Sequence, residues 1–90
     1  VKLNAREIVY AIDSTVRASH STYSDWRIGV TDDPQGRRKR HQDEGRYVRL
    51  WKQWEADGET DARSVEAYFT DKGMKSGVDW DTNGNFVYIF

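Results

Sequence analysis

Trp26-Arg27-Ile28-Gly29-Val30-Thr31-Asp32-Asp33-Pro34 decides the fold, because the chain changes its period inside it. Trp26, Ile28 and Val30 alternate with Arg27, Gly29 and Thr31, the pattern of a strand with one buried face. Asp33 then stands where a helix N-cap belongs, and Pro34 where the first helical residue belongs, since proline has no N–H to leave unpaired there. A helix over 34–44 follows. It lacks an apolar stripe and carries Gly36, so it is expected to be largely solvated or held against something outside this sequence pattern.

Upstream, Asn4 and Glu7 have the spacing of a capping box, and Ile8, Ile12 and Val16 form an apolar stripe at helical spacing. That helix should fade into the Ser- and Thr-rich loop 20–24. Downstream, residues 47–55 carry both periods, and a strand is expected there on the alternation of Val48 and Leu50. Thr60 is expected to cap a helix with Ala62, Val65 and Phe69 on its apolar face. Gly73 should end it in a left-handed conformation, with Met74 packing back on Phe69 or Tyr68. Residues 86–90 are apolar throughout, as in an inner strand covered on both faces. The expectation is therefore an α+β fold: a small, mainly antiparallel sheet, helices packed on one side of it, and an N-terminal helix before the first strand.

The chain has 90 residues, among them four Trp, five Tyr and three Phe, which suits a single domain over 1–90 and is too aromatic for a disordered chain. It contains no cysteine, which rules out disulfides, thiolate zinc sites and a thiol nucleophile, and agrees with an expected cytoplasmic location. The longest apolar runs, Ile8 to Ile12 and the equally long 86–90, are far too short to span a membrane as a helix. A net charge of −1 gives no global attraction to nucleic acid, so any such attraction must be local.

The local charge is Arg37-Arg38-Lys39-Arg40. These side chains, with Arg27, would neutralise phosphates in a salt-sensitive way, although four consecutive residues point around a helix and also suit a solvated face. Arg37 and His41 are four apart and share a helix face, so a phosphate clamp and a proton relay would be neighbours. Glu66 would hold Mg2+ or Mn2+ as a Lewis acid, or else simply pair with Arg63. Asp79-x-Asp81-x-Asn83-Gly84 copies half of a calcium loop, but the closing carboxylate would fall on Phe90. The same residues suit a hairpin turning at Asn83-Gly84 between Val78-x-Trp80-x-Thr82 and Phe86-x-Tyr88-x-Phe90. Tyr47, Trp51, Trp54 and Trp80 would stack nucleobases if exposed, and otherwise serve as core.

On these residues the chain resembles the GIY-YIG nuclease family over about 26–69. Arg27-Ile28-Gly29 takes the place of Tyr-Ile-Gly, Arg37 and His41 follow at the family's separations on the next helix, and Glu66 matches its metal-binding glutamate. The resemblance implies nucleic-acid binding and metal-dependent phosphodiester cleavage, with Arg37 on phosphate and Glu66 on the metal. Both signature tyrosines are absent: Arg27 replaces the second, and Ser14-Thr15-Val16 lies where Gly-Ile-Tyr is expected. Tyr23 is the residue expected to bring a phenol into the site from its loop. The alternative is a non-catalytic protein-interaction or dimerisation module that keeps only the scaffold, pairing with a second copy through an open sheet edge or through opposed basic and acidic stretches.

Overall fold

The computed structural model describes residues 1–76 and 83–90. Its first helix, α1 (Ala5–Ala18), starts as the capping box predicts: Asn4 Oδ1 accepts the Glu7 N–H at 2.9 Å, and Glu7 Oε1 accepts the Asn4 N–H at 3.0 Å. Ile8, Ile12 and Val16 are its buried stripe. A short 3-10 turn (Tyr23–Asp25) leads into β1 (Arg27–Thr31). Helix α2 (Pro34–Asp43) begins with Pro34 in its first turn, and Asp33 Oδ1 accepts the Gly36 N–H at 3.1 Å. Then come β2 (Lys52–Glu55), α3 (Glu59–Asp71), β3 (Lys75–Ser76) and β4 (Phe86–Ile89). This is an α+β fold with its N-terminal helix ahead of the first strand.

The four strands lie in the order β2-β4-β1-β3. Strand β4 runs antiparallel to both β1 and β2, whereas β3 is parallel to β1. The chain's late strand is therefore central. It pairs Ile28 with Ile89, Gly29 with Tyr88 and Val30 with Val87. Ile28, Val30, Val87 and Ile89 point to one face, where they meet Ile8, Ile12 and Val16 of α1 and Ala62, Val65 and Phe69 of α3 in one apolar cluster. Each such side chain contributes about 1.5–3 kcal/mol when fully buried.

Alternation along β4 sends Phe86, Tyr88 and Phe90 to the opposite face. That face is covered as well, which differs from the expectation of helices on one side. His41 of α2 is fully buried there, its ring 5.6 Å from that of Tyr88 and 4.6 Å from that of Phe90. Gly29 and Thr31 of β1, expected to face water, are buried for the same reason. Helix α2 needs no apolar stripe because one aromatic side chain anchors it.

The expected strand over 47–55 shortens to β2. Gly45 at φ 86° turns the chain, Arg46 N–H bonds back to the His41 carbonyl at 3.0 Å, and Trp51 N–H to the Val48 carbonyl at 3.1 Å. This turn lays the Trp51 ring flat on Tyr88, 4.4 Å between centroids and 10° between planes. Of the helically spaced aromatics, the turn packs only Trp51; Tyr47 stays exposed, and Trp54 lies in β2 opposite Val87. Helix α3 starts one residue before the expected Thr60 cap, with Gly58 as N-cap and no side-chain cap bond. At its end the expectation holds: Gly73 has φ 117°, Met74 N–H bonds to the Phe69 carbonyl at 3.0 Å, and Met74 is buried. The calcium-like residues Asp79 and Asp81, and the hairpin strand 78–82, lie outside the described residues. Among the described residues no helix is long and apolar enough to cross a membrane.

Gly29 is where the sheet is tightest. A methyl group added there would overlap the ring and hydroxyl of Tyr88. Gly29→Ala is expected to cost about 1–3 kcal/mol, the range for overpacking, and to weaken the near-UV circular dichroism of the Trp51–Tyr88 stack. Thermal unfolding together with that spectrum checks both.

Candidate functional site

The aromatic face of the sheet gathers Arg27, Arg37 and His41 of the expected site. Strand β1 supplies Arg27, half-buried, with its Nη1 donating to the Ser76 carbonyl at 2.9 Å. Helix α2 supplies Arg37, half-buried, and one turn later the buried His41. Strand β4 supplies Tyr88, fully buried at its backbone register opposite Gly29. His41 Nε2 and the Tyr88 hydroxyl are 3.0 Å apart.

Which of the two donates follows from the other side of the ring. Arg46 Nη1 lies 3.3 Å from His41 Nδ1 and also pairs with Glu44 at 2.6 Å. A guanidinium has donors only, so Nδ1 must present its lone pair and Nε2 must carry the ring proton. His41 therefore donates to the Tyr88 oxygen. The imidazole is neutral near pH 7: burial first, then the charges of Arg46, Arg37 and Arg27, push its pKa down to about 4.

The phenol is tuned from several directions. Burial, the leading effect, raises the Tyr88 pKa; hydrogen bonding and charge from Arg37 oppose this, and the Glu66 carboxylate adds to it. Arg37 and His41, one turn apart on α2, thus both hydrogen-bond one oxygen, and Glu66 of α3 contributes only its charge. Glu66 is half-buried, and burial raises its own pKa, with Arg63 pulling the other way. Arg63 itself bonds Glu59 at 3.3 Å.

The remaining expected residues lie elsewhere. Tyr23 turns toward α1, where its hydroxyl donates to Asp13 Oδ1 at 2.7 Å and its ring packs 5.9 Å from that of Phe69. The phenol beside His41 is that of Tyr88. Along α2, Lys39 pairs with Asp43 at 3.0 Å and Arg40 with Glu44 at 3.7 Å, both on the exposed surface, and Arg38 is exposed. The basic run is thus spread around the helix. Tyr88 and Arg46 are the residues here that the sequence reading does not single out, while Trp51, expected as a base-stacking or core residue, packs on Tyr88. The alternation of Phe86, Tyr88 and Phe90 against Val87 and Ile89 is the signal that singles out Tyr88, once β4 is placed beside Gly29.

Among the described residues no cluster of three His, Cys, Asp or Glu side chains could hold a metal. Glu66 offers one half-buried carboxylate at this place.

Two expectations follow. The folded pKa of His41 lies below its usual value of 6.5, so the unfolded chain takes up the extra proton between pH 6.5 and about 4. The stability involved is complete above pH 6.5 and is lost as pH falls toward 4; Tm should drop across that window, and less steeply in His41→Gln. In 15N-detected NMR of the His41 ring at pH 7, the proton should sit on Nε2, and Arg46→Ala should mix in the other tautomer. Comparison with protein families, characterised proteins and solved structures finds no match to this chain.

Proposed function

We propose that this chain is a divergent GIY-YIG-like nucleic-acid-binding domain with a phosphodiester-cleaving site centred on Tyr88. The observation that supports it is the Tyr88 hydroxyl held by His41 at 3.0 Å and hydrogen-bonded by Arg37, the two residues of α2 that the spacing pairs. A phosphodiester entering this face would place its nonbridging oxygens against the Arg37 and Arg27 guanidiniums, which neutralise charge as it grows on phosphorus. Tyr88, held protonated by burial, donates its O–H proton to the leaving oxygen as the P–O bond breaks. The new phenolate keeps the His41 Nε2–H and Arg37 as donors. The attacking water forms the new P–O bond and loses its proton to solvent. A divalent ion on Glu66, when bound, supplies Lewis-acid stabilisation of the phosphate.

Tyr88 here takes the part that the sequence assigned to Tyr23. It enters from the strand antiparallel to Arg27-Ile28-Gly29, so a phenol stands beside that strand although neither signature tyrosine precedes α2 in sequence. The competing view, an interaction module, draws on the pairing of Lys39 and Arg40 with acidic neighbours on α2, which leaves less basic charge for phosphates.

The experiment is cleavage of labelled DNA and RNA with Mg2+ or Mn2+, comparing the native chain with Tyr88→Phe, Arg37→Ala and Glu66→Ala. Each variant is expected to lower the rate by at least about 100-fold, the scale of a lost proton donor or charge clamp. Salt-sensitive binding without cleavage would reduce the function to binding, and neither would favour the interaction module.

A further inference from the structure

Tyr88 is fully buried, so in this conformation its hydroxyl touches no substrate, and the phenol must be uncovered before it can act. Its neighbours identify the cover. Gly29 lies against the hydroxyl end of the ring and belongs to the sheet. Arg37 and His41 lie at the oxygen and belong to α2, a helix capped by Asp33 and pinned by the buried His41 ring. Trp51 covers a face of the ring, and it is carried neither by the sheet nor by a helix but by the turn 45–51.

That turn is built to come away as a unit. It starts at Gly45, whose φ of 86° is left-handed, and its backbone bonds are local: Gly45 N–H to the Gln42 carbonyl at 3.0 Å, Arg46 N–H to the His41 carbonyl at 3.0 Å, Trp51 N–H to the Val48 carbonyl at 3.1 Å. Val48 is its one fully seated side chain, while Tyr47, Arg49 and Leu50 stand in water. A segment with so little buried apolar surface and such short-range bonds opens at a fraction of the cost of unfolding the domain. The sheet is closed over long range instead, as where the Phe90 N–H donates to the Arg27 carbonyl at 3.0 Å. Lifting the turn breaks the Trp51–Tyr88 stack and the Arg46–His41 contact, but it leaves the pairing of β4 with β1 and β2, and the His41–Tyr88 bond, in place.

We propose that the turn 45–51 is a lid, closed in this structure with Trp51 over Tyr88, and that it opens about Gly45 to admit the substrate to the phenol. The need for access rests on the function proposed above; the opening itself does not. Trp51 is then a gate and takes no part in the chemistry. A substrate that enters only the open form binds with an apparent affinity reduced by the open fraction, so a change that favours opening tightens binding by the same factor. Gly45 offers such a change. A Cβ there meets nothing within 4 Å, so Gly45→Ala adds no clash and acts through the left-handed backbone alone, a strain relieved once the turn opens.

The test is native-state amide exchange by NMR, together with nitration of tyrosines by tetranitromethane mapped by mass spectrometry. The proteins compared are the native chain, Gly45→Ala and Ile12→Val, the last a mild core change on the other face of the sheet, each first checked for cooperative melting. In the native chain the Arg46 and Trp51 amides should be at least about tenfold less protected than the Phe90 amide, with little dependence on low urea. Gly45→Ala should speed both amides and the nitration of Tyr88 about tenfold. Ile12→Val should speed the Phe90 amide and leave Tyr88 nitration unaltered, because it weakens the whole fold and not the turn. Half-saturation by labelled DNA or RNA should fall in Gly45→Ala by the factor by which opening rises. Exchange of Arg46, Trp51 and Phe90 in one global step, Tyr88 nitration that follows Ile12→Val and not Gly45→Ala, or half-saturation unmoved by Gly45→Ala overturns the proposal. If the turn opens as stated and no nucleic acid is bound or cut, the proposed function falls and the lid over Tyr88 stands.

Discussion

The contact between the Tyr88 phenol and the bare backbone of Gly29 organises this protein. A side chain on β1 at that point would hold the ring away from the sheet. Without one, the phenol lies across the strand, Trp51 stacks on it and His41 reaches its oxygen. The same contact settles where α2 sits, because His41 is the buried residue of a helix that otherwise carries polar and charged side chains. A helix with so little apolar surface would gain little from packing by itself. Its anchorage is a single hydrogen-bonded ring between aromatic neighbours, with no buried polar side-chain atom left unsatisfied among the described residues.

Much of the frame was legible because it rests on local signals. The Asn4–Glu7 box, the Asp33-Pro34 start and the Gly73 stop are short-range devices that need no tertiary context, and each appears in the structure as expected. The stripes of α1 and α3, and the alternation of β1, follow from period alone. What local pattern does not hold is partnership. Residues 86–90 look like an inner strand in isolation, but nothing in them names β1 and β2 as their neighbours. Segment 47–55 misled because Trp51 answers to a phenol some forty residues downstream, while only Trp54 keeps to the strand period.

The candidate site divides the same way. Arg37 and His41 were visible as a helical pair, and their convergence needed only the four-residue spacing. Tyr88 was hidden by its company: among Phe86, Val87, Ile89 and Phe90 it passes for one more core residue, and its hydroxyl acquires meaning only from His41 across the sheet. Arg46 was hidden because its role is indirect. It touches the far nitrogen of the imidazole and so decides which nitrogen carries the proton, a distinction that sequence does not carry.

The central place of β4 links the site to folding cooperativity. His41 and Tyr88 are 47 residues apart in sequence, and the strand that brings Tyr88 is also the one that joins β1 to β2. Such a long-range pairing forms against a large loop-closure entropy and belongs to the consolidated fold rather than to any local segment. An opening that releases β4 splits the sheet through its middle and dissolves the tyrosine–histidine pair in the same event. Partly unfolded forms that release β4 therefore lack the tyrosine–histidine pair, and the population holding it follows the stability of the whole sheet.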